Sequence, residues 1–539
     1  MAEPRSLDRR RAAPTTMMLL VIAVIGCWII GSPRSAGPDE PSHMIASAGL
    51  VRGDRGGDPL PGSNALRAYD VPGMVGAPDP ACWVLAPGAE FSGRTPVACA
   101  DEQPLVTDTQ TKASRSADYA PFAYVLPGLA SYVPWPGGYA YLARLLDAAV
   151  PVGLLIWSLA LWMRRGGIAS LVLLLGMTPI AWFTLAIVNP SAVAVGGGIA
   201  LWTGLLVTAA GAPPTLPAGR WSAAHLAVAG WIALLLPRRD GPLWATLIVL
   251  TVCVLLMVRP GHLALTVPRR ARVVAALAVP LPLITAIGDR GRVLDAVLVL
   301  SPLTLVAVDR WWVAAQRLDP RTSRLALGVF VPVAGVAAIG VAMVARPGGW
   351  EPATLRVILA STGRHLEQWV GTLGWLDTPM PTTLVVLYWA ALGGLAALAL
   401  VEHPPAAIAG GGAVAAAIVV AWVLELGQGT DTGAYWQGRY TMPFAVGVPL
   451  VLAYRPGAVA ARTDRRGEVL AVVVGTISIT GFVTAQQRWG VGVDGSWLPT
   501  RWNTWHAPVP PAILIVVHAA LTIALAAAAR PRHAEAPAE

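Results

Sequence analysis

The sequence predicts an all-α fold: a polytopic bundle of transmembrane helices with one large extracytoplasmic loop near the N-terminus. Composition is the first observation behind this. Of 539 residues, 55% are hydrophobic and only 13% charged, against about 25% charged in an average soluble domain. Arrangement is the second. The apolar residues come in blocks, among them 154–163, 168–188, 325–344 and 406–424, each bounded by Arg, Pro or Gly. Runs near the ~20 residues that cross a ~30 Å hydrocarbon core read as spanning helices. These blocks are also apolar all round, whereas a soluble core would show amphipathic periodicity.

The elements follow in chain order. Arg5, Arg9, Arg10 and Arg11 precede the apolar run 17–30, which makes 1–14 a cytoplasmic tail and 15–31 the first span. Ser32-Pro33-Arg34 stands where a small-residue cleavage site would lie, so the run reads as a retained anchor and not a signal peptide. Residues 32–137 form the first extracytoplasmic loop. Further spans are expected at 138–163, 167–188, 190–211, 221–237, 242–258, 271–288, 293–308, 325–345, 383–401, 405–426, 441–454, 468–485 and 511–530. That is about 14 spans, with about 11 as the lower bound. The bundle thus has two parts, 138–345 and 383–485, separated by an extracytoplasmic segment at 346–382. A Trp-rich extracytoplasmic loop at 486–510, the last span and a cytoplasmic tail at 531–539 complete it.

Arginine placement supports this threading. Arg164/Arg165, Arg259/Arg269/Arg270/Arg272, Arg310/Arg317/Arg321/Arg324, Arg455/Arg462/Arg465/Arg466 and Arg530/Arg532 fall on the side of the N-terminus. The opposite loops hold fewer, chiefly Arg238/Arg239, Arg290/Arg292, Arg439 and Arg488/Arg501. The bias follows the positive-inside rule. It also explains the net charge of +9 without nucleic acid, because the arginines are spread over short loops and form no basic face.

Within 346–382, Leu355, Ile358, Leu359, Leu366, Trp369 and Val370 recur at helical spacing between charged residues, as in a helix lying in the membrane interface. Trp489, Trp497, Trp502 and Trp505 fit an aromatic belt, with a sugar-binding groove as the second reading. Cys27 and Cys253 lie in apolar runs, whereas Cys82 and Cys99 share the first loop. A disulfide between these two is permitted outside the cytoplasm; two free thiols are the alternative. No phosphate-binding P-loop, Rossmann fingerprint, zinc spacing or Gly-x-Ser-x-Gly turn occurs, which argues against an ATP-driven pump or a soluble-type hydrolase. Gly196-Gly197-Gly198 reads as close helix packing.

The cluster with most chemistry is Gly37-Pro38-Asp39-Glu40-Pro41-Ser42-His43, just outside the first span. Two carboxylates and a histidine at the membrane surface offer a general base, ligands for a divalent cation such as Mg, Mn or Ca, or both. A solvated acidic turn or a helix cap is the plainer reading. Both carboxylates read as exposed, so Asp39→Asn or Glu40→Gln is expected to leave folding intact. Arg144 and Asp147, at i and i+3 in a span, read as a mutual pair.

Further segments complete a set: Asp118 to Tyr124, Arg144 to Asp147, Thr178-Pro179 with Asn189-Pro190-Ser191, Gly374-Trp375-Leu376-Asp377-Thr378-Pro379-Met380-Pro381, and Trp436-Gln437-Gly438-Arg439-Tyr440-Thr441-Met442-Pro443. In this order they resemble the bacterial membrane family known as domain-of-unknown-function family 2142, over about Pro38 to Pro443. That family is similar to glycosyltransferases of the C-type (GT-C) fold, which take sugars from polyprenyl phosphates on the extracytoplasmic side. The resemblance implies a GT-C-like bundle in the cell membrane that carries a sugar from a polyprenyl-phosphate donor to an envelope glycan or glycolipid acceptor. Asp39 and Glu40 take the catalytic position. His43, Arg144, Trp375, Asp377, Gln437, Arg439 and Tyr440 take substrate and phosphate contacts. Where the family often reads His-Pro-Pro-Leu-Tyr, this chain has Tyr119-Ala120-Pro121-Phe122-Ala123-Tyr124, so that histidine's role is lost or has moved to His43. The rival functions are a transporter or flippase of lipid-linked saccharides and a non-catalytic scaffold in envelope synthesis.

Overall fold

The computed structural model describes residues 4–63, 65–84, 93–98, 105–210, 222–279, 300–315, 352–428, 436–456, 465–499, 502, 505 and 507–530. These residues are mostly helical. The first eleven helices are α1 (Pro4–Gly31), α2 (Glu40–Val51), α3 (Val125–Leu129), α4 (Tyr139–Arg165), α5 (Ala169–Gly176), α6 (Pro179–Leu185), α7 (Pro190–Ala209), α8 (Ala223–Leu235), α9 (Gly241–Leu256), α10 (Pro260–Leu265) and α11 (Arg269–Ala278). Later ones are named by their residues. Among the described residues, seven helical stretches are long and apolar enough to cross a membrane: Pro14–Gly31, Tyr139–Arg165, Pro190–Ala209, Thr382–Glu402, Pro404–Leu426, Arg465–Val491 and Pro511–Ala528. Two shorter apolar helices, α8 and α9, stand where spans are expected at 221–237 and 242–258.

Other expected spans need correction. Residues 167–188 do not form one helix: α5 ends at Gly176 and α6 begins at Pro179, with Thr178 extended at φ −64°, ψ 165°. Pro179 supplies no N–H to continue α5 and holds its predecessor out of helical geometry. The stretch 441–454 is likewise a chain of short turns, Gly438–Thr441, Met442–Ala445 and Val448–Leu452, interrupted around Pro443, Gly447 and Pro449. Of 271–288 and 293–308, the described parts are α11 and the helix Leu303–Ala315. The span expected at 325–345 lies outside the described residues. The helix expected within 346–382 is Pro352–Gly371, and it leads into a two-stranded antiparallel hairpin, β4 (Thr372–Leu373) and β5 (Thr378–Pro379).

The chain divides into two compact units. The first comprises Met1–Gly196, Val370–Ala391 and Ala458–Glu539; the second comprises Gly197–Trp369 and Leu392–Gly457. In the first unit α1 packs against α4 and Pro511–Ala528, and the latter also packs against Arg465–Val491. The broken pair α5 and α6 is held by α4 and Arg465–Val491. Gly481 permits that closeness, because a Cβ there would collide with the Pro179 ring.

Composition gives the first loop little core, yet it folds. A three-stranded antiparallel sheet, in the order β1 (Asp58–Pro59), β2 (Arg67–Pro72), β3 (Thr109–Ser114), pairs Tyr69 with Lys112 and Val71 with Gln110. Tyr69, Val71, Met74 and Val75 pack with Met44 and Ile45 of α2, Tyr124, and Tyr139, Ala140 and Ala143 at the start of α4. Burying this apolar area contributes about 25 cal/mol per Å² and seats α2 on the end of the bundle.

In the second unit Pro404–Gln428 packs against α9, and α8 packs against α9 and α11. Gly197 of α7 meets Gly230 of α8 so closely that a Cβ on either would press into the other helix's backbone. That is the small-residue contact read from the glycine triplet.

Candidate functional site

The expected site residues fall into two groups, one in each unit. In the first unit the chain leaves α1 at Gly31 and turns twice through left-handed backbone, at Ser35 (φ 62°) and Asp39 (φ 61°, ψ 4°), before α2 starts at Glu40. Pro41 fits the first turn of α2, where no N–H is required.

Glu40 is fully buried. Its Oε1 accepts Arg144 Nε at 2.7 Å and the Val188 N–H at 3.1 Å, and its Oε2 accepts Arg144 Nη2 at 2.8 Å and the Gly37 N–H at 3.1 Å. Arg144, equally buried, directs its other donors to the carbonyls of Ile29 (3.2 Å), Ser32 (2.7 Å) and Pro33, where α1 ends. Five guanidinium N–H groups therefore meet five acceptors. The pairing of Arg144 with Asp147 expected from their spacing is not formed, since Glu40 takes the arginine. Asp147 instead accepts the Asn189 N–H at 3.2 Å, and Asn189 Nδ2 donates to the Pro38 carbonyl at 3.4 Å.

Asp39 sits above this pair, partly exposed, and its side chain makes no capping hydrogen bond to α2. One turn on, the buried His43 places Nδ1 2.7 Å from Tyr124 Oη, with its ring edge-on to Tyr119. Tyr124 Oη donates to the Ser116 carbonyl at 3.3 Å, which orients it to accept from Nδ1–H. Burial and the nearby Tyr119 push the Tyr124 phenol well above its ordinary value, so it stays protonated. His43 thus meets the segment 119–124 through both of its tyrosines.

The Gly374–Pro381 motif joins the same site. Gly374 (φ 60°) and Leu376 (φ 65°) turn the loop between β4 and β5, and Trp375 Nε1 donates to the Ser35 carbonyl at 3.0 Å. Asp377 is buried, accepting from Arg488 Nη2 at 2.5 Å and from Thr378 Oγ1 at 3.0 Å. Arg488 Nη1 also donates to the Thr95 carbonyl at 2.7 Å. Sequence reasoning counted Arg488 only as a loop charge. The available signal was its place at the end of an otherwise apolar run, where an ionised group needs a partner. Four non-glycine residues among those described have positive φ, and Ser35, Asp39 and Leu376 of this site are three of them.

In the second unit, Trp436 to Thr441 is tied down by its backbone. Trp436 N–H donates to Glu425 Oε1 at 2.6 Å, and Gly438 N–H donates to Gln368 Oε1 at 2.8 Å. Gln437 and Tyr440 are partly exposed. Arg439 is buried, its guanidinium 5.2 Å from the Tyr440 ring centre. Arg238, one of the expected outer-loop charges, lies 4.7 Å from the same ring and pairs with Asp240 at 2.8 Å. His365 lies 3.8 Å from Glu425. Burial and Arg364 push its imidazole down to about 4, so near neutral pH it meets the carboxyl as a neutral ring.

Cys82 is disulfide-bonded, while Cys27 and Cys253 are free. Cys99, its expected partner, lies outside the described residues. Among the described residues no group of three or more His, Cys, Asp or Glu is arranged to hold a metal ion. Both Glu40 oxygens are already doubly hydrogen-bonded, whereas a divalent cation takes several oxygen ligands.

No curated protein and no solved structure matches the chain. Its motifs and its helices have a match at the level of family: the chain belongs to the family of predicted membrane proteins DUF2142, which aligns with residues 22–448.

Proposed function

We propose that the chain is a membrane transferase of the GT-C type, which moves a sugar from a polyprenyl-phosphate donor to an envelope glycan or glycolipid on the extracytoplasmic face. The observation that carries this reading is the strained turn at Asp39. A left-handed aspartate costs roughly 1–3 kcal/mol and persists only where its surroundings over-determine it. Here a buried ion pair with every donor matched does so, one residue away. Such an investment in holding one carboxylate at the mouth of a span suits a general base whose position matters.

In this assignment Asp39 takes the proton from the acceptor hydroxyl. Glu40 and Arg144 are positioning residues, because neither has a hydrogen-bonding atom left for substrate. Trp375 holds the second strained loop against the first and, partly exposed, offers an aromatic edge to a sugar. A transporter reading would need charges near mid-membrane, whereas the charged cluster of the first unit gathers at helix ends.

The test is transfer itself. Purified protein in liposomes would receive a panel of polyprenyl-phosphate-linked pentoses and hexoses, with glycan from a deletion strain as acceptor. Asp39→Asn should lower turnover ~100-fold or more while melting like the parent. Transfer at the parental rate by this variant, or an absence of donor consumption across the panel, would move the scaffold and transporter readings ahead.

A further inference from the structure

The second unit contains a cavity of about 460 Å³ that the transferase reading does not use. It is bounded by Leu201 and Leu205 of α7, Ala227 and Trp231 of α8, α10, α11, and the helix Leu303–Ala315. The cavity is not enclosed and its walls are mostly apolar, so hydrocarbon chains can enter it. A space of this size falls in the range of ligand sites. The fluid that surrounds spanning helices supplies hydrocarbon chains to fill it.

The charged side chains on the wall are Arg272, Asp309 and Arg310. Asp309 is engaged: its Oδ1 accepts the Gly261 N–H at 2.7 Å and its Oδ2 takes Arg259 at 3.4 Å. Arg272 is different. Its Nε is buried and has no hydrogen-bond partner, an arrangement that costs the desolvation of a charged donor unless an anion meets it. Arg310 is exposed on the same wall. Arg269, Arg270 and Arg272 crowd the first turn of α11, which carries no acidic residue and no side-chain cap. The helix dipole disfavours cations there and favours an anion.

We infer that this cavity is a seat for one anionic phospholipid of the cytoplasmic leaflet, its acyl chain among α7, α8 and α10 and its phosphate on Arg272 and Arg310. The arginine threading puts residues 259–272 and 310 on the cytoplasmic side, where anionic lipids and basic pockets between helices meet. The apolar wall selects a chain, and the guanidiniums select its charge.

Native mass spectrometry of the full chain in detergent tests this with two added lipids of identical acyl chains, phosphatidylglycerol and phosphatidylcholine. The protein should retain phosphatidylglycerol at least about 10-fold better. Arg272→Gln and Arg310→Gln should each erase most of that preference, and Ala275→Phe, which intrudes on the cavity from α11, should reduce retention of both lipids. Arg310 is exposed, so its variant reports even if Arg272→Gln fails to fold. Equal retention of the two lipids, or parental retention by Arg310→Gln and Ala275→Phe, would overturn the assignment. So would displacement of phosphatidylglycerol by equimolar polyprenyl phosphate, which would return the cavity to the donor lipid.

Discussion

Glu40→Gln is the substitution with the largest expected consequence for stability. The carboxylate accepts four hydrogen bonds, two on each oxygen. An amide replaces one acceptor oxygen by an NH2 group, so in either orientation two donors would face a donor. Arg144 would also remain charged and fully buried without its counter-ion. Breaking a buried pair from one side costs about 3–5 kcal/mol, and each lost bond to a charged group about 1.5–3 kcal/mol. The two figures describe the same loss, so about 3–5 kcal/mol is the expected total. Equilibrium unfolding in mixed micelles of a mild detergent and dodecyl sulfate measures it, with Asp39→Asn as companion, expected within about 0.5 kcal/mol of the parent because its side chain is partly exposed. A change below about 1 kcal/mol for Glu40→Gln would refute the view that this ion pair holds the turn. From the sequence alone both carboxylates read as exposed and neither variant as costly; burial of Glu40 reverses that for one of them.

Arg488→Gln should leave Asp377 buried and unpaired, costing about 3–5 kcal/mol and raising hydrogen exchange over residues 372–379 before the rest of the first unit. His365 gives a pH signature: the unfolded chain binds its proton below 6.5, the folded one only near 4. Stability therefore falls as pH drops from 6.5 toward 4, and melting curves of His365→Phe should lose that part of the slope. For topology, Gly56→Cys and Asp494→Cys should react with impermeant thiol reagents in intact cells and Arg164→Cys should not; the opposite labelling would invert the threading. Gly56 is exposed with open space at its Cβ position and Asp494 is exposed, whereas the neighbouring Gly57 and Gly492 have positive φ and crowded Cβ positions.

What the sequence made legible was whatever depends on local character. The long helices end where Arg, Gly and Pro end the apolar runs. What it hid was partnership across distance. Arg144 lies 104 residues from Glu40, while Asp147 one turn away looked like the natural partner. Strand β3 is mostly exposed and has no apolar alternation to announce it, so the sheet in the first loop escaped notice. Thr178-Pro179 was visible as a dipeptide, but a proline in an apolar run bends one span or separates two helices, and only the packing of Pro179 on Gly481 decides which.

The interruption at Thr178 has a consequence for synthesis. Neither α5 nor α6 is long enough to be accepted into lipid as a span, and non-helical backbone is tolerated at that depth only when protein surrounds it. Every residue from 170 to 192 is buried, in part by Arg465–Val491, a helix the ribosome makes much later. At about 5–20 residues per second the delay is roughly 15 to 55 s. Throughout that interval the nascent chain carries a segment that cannot rest in the bilayer alone, so the machinery that inserts it, or a chaperone beside it, must shelter residues 170–192 until the later helix arrives.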